Sequence, residues 1–173
     1  IAGKGTCIVM RHIISLLLEN EAGSLSRVSG LFSARAFNIE SLSVAPTEDP
    51  TMSRLTLVTT GSDAIVEQIT KQLNKLVDVI KVVDLNDYDH IERELMLAKL
   101  VAHKEDDHDL IKRVIETFKA RIIDVNENLY TIEITDTGKK IDAFLTALDD
   151  QFILEVVRTG ATAILLGEKI IMS

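Results

Sequence analysis

Four histidines, His12, His90, His103 and His108, and one cysteine, Cys7, are the first side chains to consider for metal or nucleophilic chemistry. None of the histidines stands at a spacing that would set two imidazoles around zinc on one helix face. The run His103-Lys104-Glu105-Asp106-Asp107-His108 is the best metal candidate. It reads more readily as a solvated stretch before a helix, with acids where the helix dipole favours them. Cys7 has no CxxC partner, and a single cysteine cannot close a disulfide within the chain. Ser24, Ser26 and Ser29 lie in no nucleophile-elbow pattern, and no GxGxxG stretch is present. Gly3-Lys4-Gly5-Thr6 is like the end of a phosphate loop, but it lacks the earlier glycine and a preceding strand. Catalysis by this chain alone is therefore not expected.

A different chemistry is legible in Glu19-Asn20-Glu21-Ala22-Gly23. Asn20 and Gly23 bracket a turn that feeds a helix, and the free N–H groups of a helix start can cradle a small carboxylate. Gly23 permits a positive φ or close backbone approach. The loop acids and the Asn38 side chain offer acceptors to an ammonium, while Leu25 and Ile39 offer apolar walls. Such a set suits a free aliphatic amino acid. The same residues also read as plain turn residues, with Gly23 merely starting the helix. The two loop acids would repel phosphate, which argues against a phosphatase built on this turn.

The elements that must position these residues follow from the hydrophobic period, which switches repeatedly between two and 3.6. Residues 11–18 read as a buried strand, with Ile14, Leu16 and Leu18 on one face and Ile13 and Leu17 on the other. Leu25, Val28, Leu31 and Phe32 recur at helical spacing, predicting a helix over 24–36. Strands are expected at 38–45 and 53–60, joined by a turn between Pro46 and Thr51. Ser62 is placed to cap a helix lined by Ile65, Ile69, Leu73 and Leu76, and 78–85 forms a fourth strand. The order β-α-β-β-α-β is a split βαβ, a ferredoxin-like sandwich with one open sheet face. Ile13, Leu17 and Val58 fall on that open face and would favour a cover over water.

After a polar linker at 86–90 the same order returns. A strand at 92–102 precedes a helix capped by Asp106 or Asp107 and carrying Leu110, Val114, Ile115 and Phe118. Strands at 121–125 and around Tyr130, Ile132 and Ile134 follow. A helix with Ile141, Phe144, Leu145 and Leu148 and a strand at 152–158 complete the copy. The fold class is α+β, two tandem ferredoxin-like βαββαβ sandwiches. Residues 1–9 have no period and read as an upstream extension or expression scar; the domains are then 10–86 and 87–173, with the tail from Gly160 unassigned.

Composition excludes several classes. The chain has 173 residues, 46% hydrophobic and 27% charged, an ordinary globular balance. No apolar run exceeds four residues, too short for a membrane helix. The net charge is -8 and both halves are acidic, so bulk charge cannot neutralise nucleic-acid phosphate. Aromatics are 4% with no Trp, which leaves no base-stacking platform. The lone cysteine makes a reducing cytoplasm the expected compartment.

The stretch from Met10 to Val83 resembles the N-terminal ACT domain of acetohydroxyacid synthase (acetolactate synthase) small, regulatory subunits. The resemblance is carried by Leu17-Leu18-Glu19-Asn20-Glu21-Ala22-Gly23, Leu25-Ser26-Arg27-Val28, Gly30-Leu31-Phe32-Ser33, Asn38-Ile39-Glu40-Ser41-Leu42, Val44-Ala45-Pro46-Thr47 and Lys71-Gln72-Leu73-Asn74-Lys75-Leu76. Glu92-Arg93-Glu94-Leu95, Ile122-Ile123-Asp124-Val125 and Arg158-Thr159-Gly160 are similar to the family's C-terminal domain, so the resemblance spans residues 10–173.

It implies a subunit without an active site that dimerises through ACT domains and binds valine or a related branched-chain amino acid at the dimer interface. It implies a separate catalytic large subunit carrying thiamine diphosphate, Mg²⁺ and FAD, which this chain activates and subjects to end-product inhibition; no cofactor or metal is expected in this chain. Carried over by position, the effector contacts are Asn20, Gly23 and Leu25 of one protomer with Asn38 and Ile39 of the other. A free-standing ACT-type sensor acting on another enzyme or a transcription factor is the alternative. Three departures stand out. Ala36 replaces the usual Gly before the aromatic and would cost about 1 kcal/mol if φ is positive there. Ala120 or Arg121 replaces the corresponding Gly of the second half. The stretch 104–109 is unusually acidic.

Overall fold

The structure, a computed structural model, describes residues 10–172. The Gly3–Thr6 stretch and Cys7 lie outside the described residues. The chain divides into two compact units, one running up to Ile91 and joined by the tail from Ala163, the other Glu92–Thr162. The division thus falls one residue beyond the 86–90 linker, and the tail is grouped with the first unit.

In the first unit, β1 (Met10–Glu19), α1 (Ser24–Ala34), β2 (Ser41–Pro46), β3 (Met52–Gly61), α2 (Asp63–Leu73) and β4 (Val79–Asp84) follow the expected order. The sheet order is β2-β3-β1-β4, all antiparallel. Alternation decides the layers: Ile14, Leu16 and Leu18 of β1 face Val28, Leu31 and Phe32 of α1 and Val66, Ile69 and Leu73 of α2 in one core. The inward stripe of α2 carries Val66 rather than Ile65, which is 39% exposed. Leu76 packs on this core from beyond the helix end. Ser62 occupies the N-cap of α2, but its side chain makes no capping hydrogen bond.

Strand β2 begins at Ser41, not 38. The chain leaves α1 through Ala36 at φ 54. The Asn38 carbonyl then accepts from Thr59 Oγ1 at 2.6 Å instead of joining the ladder, which leaves Asn38 and Ile39 irregular.

Ile13, Leu17 and Val58, on the face away from the helices, are nevertheless 2%, 5% and 2% exposed. Arg54 pairs with Leu17 in register and shares that face. Its Nη2 donates to the Ile171 carbonyl at 2.7 Å and its Nη1 to Ser15 Oγ at 3.1 Å. Ile171 is itself buried. The tail left unassigned from sequence therefore reaches the face that needed a cover, at Ile171.

The second unit repeats the topology: β5 (His90–Val101), α3 (Glu105–Thr117), β6 (Arg121–Asn126), β7 (Leu129–Asp136), α4 (Gly138–Ala147) and β8 (Ile153–Arg158), in the order β6-β7-β5-β8. Met96, Leu100, Ile132, Ile134, Ile111, Ile115, Ile141 and Phe144 form its core. Lys104, not Asp106 or Asp107, is the N-cap of α3. Asp107 still satisfies the helix start from inside the first turn, accepting from His103 N at 2.9 Å and Lys104 N at 3.0 Å. The left-handed residue after α3 is Lys119, φ 56, rather than Ala120 or Arg121.

Candidate functional site

The loop between β1 and α1 is held from several sides. Asn20 N donates to the Thr51 carbonyl at 2.7 Å, Asn20 Nδ2 donates to the Pro50 carbonyl at 2.9 Å, and Asn20 Oδ1 accepts from Ser53 Oγ at 3.1 Å. Asn20 thus spans the loop and the β2–β3 turn rather than standing free as an acceptor. Gly23 occupies the N-cap of α1 at φ 93, a conformation that L side chains rarely adopt, and no side chain caps the helix. Its carbonyl accepts from Arg27 N in the first turn. Ser24 N donates to the Glu21 carbonyl at 3.2 Å, and the Leu25 and Ser26 amides, ahead of the Arg27 bond, lack an acceptor within the helix. Leu25 is 41% exposed beside it.

Arg27 and Asp78 complete this end of the unit, and neither was singled out from the sequence. Arg27 Nε donates to Asp78 Oδ2. Asp78 is only 5% exposed, and its carbonyl accepts from Glu19 N at 2.9 Å. The bond to Asp78 raises the Arg27 pKa above its ordinary value. Ser24 Oγ is enclosed without a hydrogen-bond partner. An Arg on a helix and an Asp in a distant turn carry no local signal of pairing, so only the fold reveals them.

Asn38 and Ile39 stand elsewhere. The Asn38 carbonyl is bonded at Thr59, and Glu40 N donates to the Val58 carbonyl. Asn20 is bonded at Thr51, near the other end of β3. At about 3.3 Å per residue, Thr51 and Thr59 are about 26 Å apart along the strand. Asn38 is exposed, and Ile39 packs partly on the core. Within one chain the two sets of predicted contacts cannot form one pocket.

The candidate metal run is not gathered. His103 Nε2 contacts the Gln151 carbonyl at 2.9 Å, and His108 Nδ1 shares a 2.6 Å bond with Tyr130 OH. Among the described residues no three His, Cys, Asp or Glu side chains converge to hold a metal ion.

Residues 14–81 match the AHAS small subunit-like ACT domain family, and residues 93–167 match the family of the small subunit of acetolactate synthase. The chain belongs to the acetolactate synthase small-subunit family. The acetolactate synthase small subunit of Haemophilus influenzae is 54% identical over 164 residues, 94% of this chain and 100% of that protein. The isozyme 3 small subunit of Escherichia coli is 52% identical over 162 residues, 93% of this chain and 99% of that one. The crystal structure of the Thermotoga maritima small subunit superposes with a TM-score of 0.83 at 36% identity, covering 92% of this chain and 99% of that one.

Membership supports the role of a regulatory subunit of acetolactate synthase. Ala36 stands at φ 54, a backbone that glycine adopts without strain. No helix among the described residues is long and apolar enough to cross a membrane.

Proposed function

We propose that two copies of this acetolactate synthase small subunit pair through their ACT units and bind valine, or a related branched-chain amino acid, between them. The observation that carries this reading is the register. Asn20, Gly23 and Leu25 lie at one end of the sheet, while Asn38 and Ile39 lie at the other. Strand β2 is an edge strand with open hydrogen-bonding groups. A two-fold antiparallel pairing centred on β2 sets Ser41 against Pro46 of the second copy, and so residue 38 against residue 49. Residue 49 adjoins Pro50 and Thr51, to which Asn20 is bonded. The second copy thus supplies the half of the site that each chain lacks.

In this arrangement the effector carboxylate meets the N-terminal amides of α1. Its ammonium meets the Asn38 amide oxygen, and Leu25 and Ile39 bound its side chain. Valine favours one arrangement of the dimer, and the catalytic subunit, with its thiamine diphosphate, Mg²⁺ and FAD, favours the other. A coupling of about 1–3 kcal/mol gives marked feedback inhibition in branched-chain amino-acid biosynthesis, and partner binding must weaken valine binding by the same factor. The test is calorimetric titration of valine, leucine and isoleucine into the purified chain, with acetolactate formation by added catalytic subunit as the second readout. Asn38→Ala is expected to abolish feedback and leave activation largely intact. Normal valine inhibition of that variant would remove Asn38 from the site.

A further inference from the structure

The guanidinium of Arg27 lies against Gly23. A Cβ built on Gly23 would stand 2.9 Å from Arg27 Nη1 and 3.5 Å from its Cζ. The same side chain is pinned by Asp78 through Nε. Asp78 in turn holds the start of the loop, because its carbonyl accepts from Glu19 N at 2.9 Å. One residue of the turn after α2 therefore grips both ends of the Asn20–Gly23 segment, by its main chain at the entrance and through Arg27 at the exit.

From this geometry we propose that Arg27 and Asp78 are positioning residues of the effector site: their ion pair lays the guanidinium plane behind Gly23 and holds the loop in the shape that receives the ligand. The inference rests on the effector reading above for its ligand, and on the geometry alone for its action on the loop. Gly23 is suited to its place by its positive φ, and a side chain there would also have to push the Arg27 guanidinium aside. Asp78 is suited to the task because it is nearly enclosed while Arg27 is half exposed, so the carboxylate fixes the cation. Arginine is suited because its planar fork can bond through Nε and still present a flat face, which the point charge of a lysine cannot do.

The test separates positioning from plain stabilisation. In the full-length chain, Arg27→Lys keeps a charge that can reach Asp78 but removes the plane. Its unfolding midpoint should stay near that of the parent, while its valine affinity falls about tenfold or more and amide exchange at residues 20–25 accelerates. Asp78→Asn, which keeps the volume and weakens the grip, should accelerate the same amides and lower affinity in the same way.

Parent-like affinity and exchange in Arg27→Lys would overturn the proposal. So would affinity losses that merely track the fall in unfolding midpoint across Arg27→Lys, Arg27→Ala and Asp78→Asn. If the parent chain binds no branched-chain amino acid, the effector reading fails, and the exchange rates of the unliganded variants alone uphold or refute the grip on the loop.

Discussion

Ala36→Gly is expected to stabilise the first unit, and the size of the gain can be worked out. Ala36 sits at φ 54, exposed, at the reversal between α1 and the irregular stretch that carries Asn38. A left-handed conformation costs an L residue about 1–2 kcal/mol because Cβ crowds the following carbonyl. Glycine removes that cost and restores about 0.4–1 kcal/mol of unfolded-chain entropy. No packed side chain is lost, since alanine contributes one exposed methyl. The net gain is then about 0.5–1 kcal/mol in the first unit.

Lys119 provides the internal control. It holds φ 56 at the same place in the second unit, also exposed. Lys119→Gly should give a similar gain, and the double variant should give the sum, since distant sites add. A chain of two units need not unfold in one step. The assay is therefore urea denaturation read by hydrogen exchange at core amides of β1 for one unit and β5 for the other. Each substitution should slow exchange in its own unit. An unchanged or lowered stability in both variants would refute the claim that backbone strain sets these two positions.

Ser24→Ala should raise stability by about 1 kcal/mol, since it deletes a buried hydroxyl that has no partner, and a thermal melt reads it. Asp107→Ala should cost about 1–2 kcal/mol by orphaning the His103 and Lys104 amides at the start of α3, measured as a lower urea midpoint. Asp136 accepts from Thr137 N at 2.8 Å and from Lys140 Nζ at 3.1 Å, and these bonds hold its carboxyl below the ordinary range. A depressed folded-state pKa adds stability above the unfolded value of about 4, and that stability is lost as pH falls through the folded one. Asp136→Asn should accordingly flatten the fall in urea midpoint between about pH 5 and pH 2.

Much of this protein is local in origin and so legible in its sequence. Alternation of Ile14, Leu16 and Leu18 and the helical spacing of Val28, Leu31 and Phe32 name the inward faces, because burying apolar area is what selects a period. The repetition of that pattern gives two units of one topology. The positive φ of Ala36 is not written in that residue; only the resemblance, which implies a glycine there, points to it.

Other features depend on which distant segments meet. The division of the five predicted contacts between opposite ends of a sheet follows from strand register, which is a pairing of segments and not a property of either alone. Strand β2 starts later than its alternation predicts because the Thr59 hydroxyl takes the Asn38 carbonyl, and the tail carries no local signal because Arg54, which donates to the Ile171 carbonyl, lies far away in sequence. Val66 displaced Ile65 on α2 through a small change of helical phase. The grip of Asp78 on Glu19 and Arg27 belongs to the same kind. Tertiary folding alone brings that turn beside α1, and a buried carboxylate holds its place only where a cation meets it.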